Sequence, residues 1–157
     1  MSSSLQTLQT PVLKDWIDYN DHLNDAYYLV IFTKASDALQ NHLGLTLEHI
    51  KNTGETLFTV ENHLAYLQQI GLGEMVTVRS QILETDNKRM RIFHSMFNDQ
   101  NELLATAEML LICYNLETKK VTTFSDMMRQ SLSIFETEHG SSTWPANAGK
   151  GIALKRL

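Results

Sequence analysis

The eleven residues from Asp15 to Asp25, DWIDYNDHLND, hold four aspartates, two asparagines and one histidine. The apolar, aromatic-rich run AYYLVIF follows directly. Such a cluster ahead of a helix can do three kinds of chemistry. It can cap the helix: Asn24 and Asp25 can satisfy the unpaired N–H groups of the first turn and complement the helix dipole. It can begin a calcium loop, which Asp18, Asn20 and Asp21 resemble, but the glycine and terminal glutamate such a loop needs are missing. Or it can be catalytic. A carboxylate held beside a helix N-terminus is a usable base or nucleophile, and the helix N–H groups can polarise a carbonyl and hold the oxyanion that forms. Capping accounts for two of the seven polar residues and leaves Asp18 unexplained.

Other chemistries lack their parts. There is no G-x-S-x-G elbow, no G-x-G-x-x-G and no phosphate-binding P-loop. Zinc-ligand spacing and an H-E-x-x-H pair are absent, so no metal site is expected. The single cysteine, Cys113, lies in the apolar run LLICYN and reads as a buried thiol. It also rules out an intrachain disulfide.

The elements that must position Asp18 are legible. Leu5 to Ile17 reads as a first strand that Pro11 confines to an edge or a bulge. Asn24 to His42 reads as a helix, with Tyr28, Leu29, Phe32, Ala35 and Leu39 on its apolar face, Asn24 as cap and Gly44 as stop. A short helical turn, Leu47 to Lys51, ends at Gly54. Thr56 to Leu67 reads as a strand with Leu57, Thr59, Glu61, His63 and Ala65 on one face. GLG then makes a turn. EMVTVRSQILE and RMRIFHSMF form a hairpin closed by TDNK. ELLATAEMLLICYN has helical composition, but its place after two hairpin-linked strands assigns it to a third. Glu108 inside that strand must pair or reach water. Val121–Phe124 ends the last strand, and a helix capped by Ser125 or Asp126 follows. One long helix on one antiparallel sheet is an α+β arrangement.

With 157 residues, 43% hydrophobic and 20% charged, the chain fits one globular domain, with a core at about 8–137 and a tail at 138–157. A net charge of −5 argues against general nucleic-acid binding. The N-terminal MSSSLQTLQT has no basic or apolar signal region. No apolar run approaches ~18 residues, so no membrane span and a cytoplasmic location are expected.

DYNDHLNDAYYL resembles the signature loop of hotdog-fold thioesterases of the 4-hydroxybenzoyl-CoA thioesterase type, which reads approximately D-x-x-G-H-V-N-N-x-x-Y. Asp18, His22, Asn24 and Tyr28 fall on it in register, while Asp21 stands where the family has glycine. The resemblance covers most of residues 10–135 and implies the hotdog fold, a long central helix wrapped by an antiparallel sheet of about five strands. It implies hydrolysis of an acyl-CoA thioester, with coenzyme A as part of the substrate and no separate cofactor. Asp18 would attack the carbonyl or activate water, and a backbone N–H at or near Asp25 would hold the oxyanion. His22 and Asn24 would orient the loop. Lys88 and Arg89 would bind CoA phosphates, and Glu61, His63 and Tyr28 would meet substrate. It also implies a homodimer or homotetramer with active sites at the junction.

DWIDYNDHLNDAYY, ENHLAYL and DNKRMRIFH also look like the thioesterases of carnitine breakdown, whose substrate is betainyl-CoA. A trimethylammonium group would suit aromatic faces, which Trp16, Tyr19, Tyr27, Tyr28, Phe58 and Tyr66 could supply. Two other classes share the fold. Hotdog enoyl-CoA hydratases place four residues between Asp and His and follow them with a proline pattern. Here three intervene between Asp18 and His22, and no proline follows. Non-catalytic acyl-CoA-binding modules usually lose the loop carboxylate, whereas Asp18 is present.

Overall fold

A computed structural model describes residues 4–140 and 143–154. The chain runs β1 (Leu5–Pro11), a 3-10 turn (Lys14–Trp16), α1 (Asp25–His42), α2 (Leu47–Thr53), β2 (Glu55–Tyr66), β3 (Met75–Thr85), β4 (Arg89–Phe97), β5 (Leu103–Asn115), β6 (Lys120–Val121) and α3 (Asp126–His139). The strands form one antiparallel sheet in the order β1-β3-β4-β5-β2, with β6 added to the end of β5.

α1 lies against one face of this sheet and buries Tyr28, Ile31, Phe32, Ala35, Ser36 and Leu39. These recur at three and four because side chains so spaced share one face of a helix. Leu29, expected on that face, is only half-buried. Asn24 caps the helix as its spacing predicts, and Gly44 follows the end of α1 at φ 90°, in the left-handed region that glycine reaches without strain. A polar chain crosses the core between helix and sheet. The fully buried His94 meets Ser80 Oγ at 2.7 Å and Ser36 Oγ at 2.8 Å through its two ring nitrogens. Ser80 Oγ in turn lies 2.6 Å from Thr7 Oγ1.

Several boundaries differ from the expectation. β1 stops at Pro11, which lacks the N–H needed to go on pairing, and it lies at an edge with its bulge between Gln6 and Leu8. The last strand is Lys120–Val121, not Val121–Phe124; Phe124 leaves the sheet to be buried in the core. GLG makes its expected turn, with Glu74 N–H donating to Gly71 O at 3.4 Å, inside a 67–74 connection that crosses from β2 to β3 in the sheet interior, since β2 pairs with β5.

β2 also breaks its alternation. A register shift between Thr59 and Glu61 makes Val60 the extra residue of a bulge. Leu57 and Thr59 therefore share the α1 face with Asn62, Leu64 and Tyr66, while Glu61, His63 and Ala65 point to the other face with Phe58. One inserted residue reverses every side chain beyond it.

Glu55 fastens the opposite corner. Its carboxylate accepts Ser125 N–H at 2.8 Å and Ser125 Oγ–H at 2.7 Å, and lies 2.9 Å from His49 Nε2. It thereby ties β2 to α2 and to the cap of α3. Burial pushes its carboxyl up, but these hydrogen bonds and the His49 ring outweigh that and hold it below the usual glutamate range.

Candidate active site

The segment from Val12 to Asn24 is pinned at both ends. Val12 N–H donates to Glu74 O at 2.9 Å, and Gly73 N–H to Val12 O at 2.9 Å. Leu23 N–H donates to Ile70 O at 2.8 Å, and Asn24 N–H to Trp16 O at 2.9 Å. Between these anchors Asp18 N–H donates to His22 O at 2.9 Å and Asp21 N–H to Asp18 O at 3.1 Å, forming a tight turn. Asp21 holds φ 61°. It occupies the left-handed position that glycine would fill, and aspartate is among the residues that tolerate it best. His22 acts in this turn through its backbone, which also bridges to Gly71.

One Asp18 carboxylate oxygen, Oδ1, accepts Asn20 N–H at 2.8 Å. Among the described residues the other accepts no hydrogen bond. Asp18 lies close enough to Tyr28 for its charge to raise the phenol pKa, although burial and Tyr66 contribute more. Tyr28 donates to Gln68 O at 3.0 Å and meets the Tyr66 ring edge-on at 5.1 Å, and Tyr66 donates to Asp25 O at 3.3 Å. Asp18, Tyr28, Tyr66 and Asp25 thus gather at the N-terminus of α1. Asn24 Oδ1 accepts Ala26 N–H at 3.0 Å, Asp25 Oδ1 shares that donor at 2.9 Å, and Tyr27 N–H turns back to Asn24 O at 3.0 Å. The Asp25 N–H is the first-turn donor left without an acceptor among the described residues. Gln68 carries no signal in the sequence, because nothing in YLQQ marks where a strand end meets a helix start.

Lys88 and Arg89 lie elsewhere. Arg89 stands opposite Ile112, which stands opposite Phe58, whereas Tyr66 ends β2 beside the Asp18 loop. Seven ladder positions, counted on β5 from Ala105 to Ile112 at ~3.3 Å each, separate the two rows, about 23 Å along the sheet within one chain. Arg89 is paired with Asp86 through Nε at 2.7 Å, and Lys88 donates its backbone N–H to Asp86 Oδ1. Glu61, His63 and Arg89 share a cleft of about 870 Å³ on the face away from α1. Its floor holds Glu108, which resolves its burial by pairing with Arg91 and by accepting Gly149 N–H at 2.7 Å. Arg91 stacks under Trp144 at 4.6 Å, so the C-terminal segment is strapped across this face.

The aromatic residues divide as well. Trp16 is buried, stacks on Tyr27 at 6.2 Å and already carries Lys34 Nζ at 5.3 Å. Phe58 stacks on Tyr114 at 4.4 Å, far from Asp18. Tyr19 is exposed. Of the six, Tyr28 and Tyr66 meet each other at the N-terminus of α1, beside Asp18 and Asp25.

The sequence profile of the Thioesterase-like superfamily matches residues 12–132. A betainyl-CoA thioesterase of Pseudomonas aeruginosa is 36% identical over 155 residues, 98% of each chain. The chain belongs to the thioesterase-like superfamily. This thioesterase has the α+β hotdog fold, its curled antiparallel sheet packed on α1. A Staphylococcus aureus protein solved in complex with CoA superposes with a TM-score of 0.91 at 28% identity, covering 99% of this thioesterase and 98% of that chain. A thioesterase candidate from Pseudomonas putida KT2440 superposes with a TM-score of 0.84 at 35% identity, covering 98% of each. An L-carnitine dehydrogenase/betainyl-CoA thioesterase of Agrobacterium fabrum is 30% identical over 142 residues, which are 90% of this chain and 29% of that longer protein. Among the described residues of this thioesterase, no helix is long and apolar enough to cross a membrane.

Proposed function

We propose that the chain hydrolyses an acyl-CoA thioester, betainyl-CoA being the substrate for which relatives are named, with Asp18 as the acting carboxylate. The observation that carries this reading is the pairing at the start of α1. A carboxylate with one uncommitted oxygen and a backbone N–H without an acceptor belong to the same loop-to-helix junction. The thioester carbonyl oxygen would accept the Asp25 N–H, where the helix dipole stabilises developing negative charge. Asp18 would then either add to the carbonyl carbon and expel CoA thiolate, leaving an anhydride for water to open, or take a proton from the water that attacks. Either route ends in free acid and CoA. Tyr28 and Tyr66 would border the acyl group, with faces suited to a trimethylammonium and the charges of Asp18 and Asp25 nearby.

We further propose a homodimer joined through β2. Among the described residues the outer edge of this twelve-residue strand has no partner strand in the sheet, and Phe58 to Asn62 are exposed along it. An unpaired edge of this length is a template for another strand. Antiparallel pairing of two β2 strands would reverse one relative to the other. It would bring the Lys88–Arg89 end of one copy toward the Asp18 end of its mate, where the phosphates of CoA would be met.

The test is release of thiol from a panel of acyl-CoA substrates that includes betainyl-CoA. Asp18→Asn should lower kcat by about 10²–10⁴-fold, the usual contribution of a positioned acid or base, with the circular dichroism spectrum unchanged. Near-normal turnover by the Asn variant would remove Asp18 from the chemistry. In a single turnover in ¹⁸O-water, label entering Asp18 means nucleophilic attack with water opening the anhydride at the Asp18 carbonyl, and an acyl-enzyme trapped by rapid quench marks the same route when water opens it at the substrate carbonyl.

A further inference from the structure

Far from the Asp18 loop, two helices end together. His42 is the last residue of α1 and His139 the last of α3, with Glu138 beside it. The ligand atoms of these three side chains all lie within 4.8 Å of one another. We propose that His42, Glu138 and His139 form a zinc site that staples the C-terminal end of α1 to that of α3.

Three observations support it. The donor set is two imidazoles and one carboxylate, which suits zinc with a water in the fourth position and does not suit the all-oxygen preference of calcium or magnesium. Donors around a tetrahedral zinc with bonds near 2.0–2.1 Å lie about 3.4 Å apart, so small side-chain rotations close the present arrangement. The site is also braced from below. The buried Phe135 ring lies 6.0 Å from His42 and 4.9 Å from His139, and the two imidazoles lie 6.3 Å apart. Finally, the electrostatics favour a cation. Helix C-termini carry partial negative charge, and here two of them converge. Gly140 lets α3 end abruptly at this point: its N–H donates to Glu136 O at 2.8 Å, and a Cβ there would stand 2.2 Å from the same oxygen. No spacing motif announces the site, because its ligands lie at positions 42, 138 and 139, on separate helices.

α1 has 18 residues, about 27 Å at ~1.5 Å per residue, and Asp18 lies off its other end. The ion would therefore act on the fold and leave the hydrolytic chemistry alone. The experiment uses the full chain without an affinity tag, stripped with a chelator and titrated with Zn²⁺ against a chromophoric competitor. One zinc per chain is expected, bound at least about tenfold more tightly than by the double variant His42→Ala/His139→Ala, with a rise in melting temperature on zinc addition that the double variant lacks. Equal zinc affinity of the wild type and the double variant would overturn the proposal. If the double variant does not fold, the absorption spectrum of Co²⁺ on the wild type decides. Intense bands of a tetrahedral nitrogen-ligated ion support the site, and a weak spectrum of hydrated cobalt overturns it.

Discussion

Replacement of His94 by glutamine tests whether a neutral histidine is built into the core. The ring is fully enclosed, bonded through both nitrogens to Ser80 and Ser36, and stacked 5.9 Å from Phe32. No charged side chain is in hydrogen-bond contact with it among the described residues, so nothing compensates a proton there. Burial pushes its pKa down to about 3 from 6.5. Because the folded value lies below the unfolded one, the unfolded chain takes up the proton first. The stability associated with the neutral ring is complete above about pH 6.5 and is lost as pH falls toward 3. The slope is about 1.4 kcal/mol per pH unit, which amounts to about 2 kcal/mol at pH 5. With a urea dependence of about 2 kcal/mol per molar, the unfolding midpoint of the wild type should move by about 1 M from this cause. Urea unfolding of the wild type and His94→Gln should be followed by circular dichroism between about pH 7.5 and 5. At the upper pH the variant should be the less stable, since glutamine cannot serve both serines in the ring's geometry. The gap should narrow by about 2 kcal/mol at the lower pH. Carboxylates common to both proteins cancel in the difference. A gap that stays constant over this range would refute the neutral buried ring.

Three further outcomes are expected. Asp21→Gly should leave stability unchanged or raised, whereas Asp21→Val should cost about 1–2 kcal/mol in thermal unfolding and lower kcat as well, because a β-branched residue resists φ 61°. Glu55→Gln should destabilise by about 1–3 kcal/mol near neutral pH by weakening the tie among α2, β2 and α3, and the loss should fade below pH 4.5, where unfolded Glu55 itself takes up a proton. Replacing Lys88 and Arg89 by alanine should raise KM for an acyl-CoA with little change in kcat, and the effect should shrink with added salt.

Local patterns in the sequence were read with more success than long-range ones. The cap and apolar face of α1 and the β3–β4 hairpin rest on short-range periodicity and turn chemistry, while the choice of strand for β5 rests on its place after two hairpin-linked strands, against its helical composition. The sheet order does not, because β2 reaches β5 only after two intervening strands have formed. The Val60 bulge has no composition signal, and without it Glu61 and His63 are assigned to the wrong side of β2. The loop offered Asp18, Asn24 and the tolerance of Asp21 directly, since each depends on residues next to it. Gln68, the contacts of Tyr66 and the Arg91–Glu108 pair become visible only when distant strands lie side by side. The same holds for Ser36 and His94, ordinary polar residues in sequence that meet at 2.8 Å inside the core.

The anchoring of the Asp18 loop has a kinetic consequence. Its two ends are held by residues 70–74, some fifty positions downstream, and β1 is held by β3 from the same side. Contacts of such separation form late, because the intervening chain must first lose its freedom. A partly folded chain with α1 already helical would still lack the turn that aims the carboxylate. Catalytic competence should thus appear in the slowest refolding phase, after helical signal has returned, and the newly made enzyme stays inert toward thioesters until its sheet has closed.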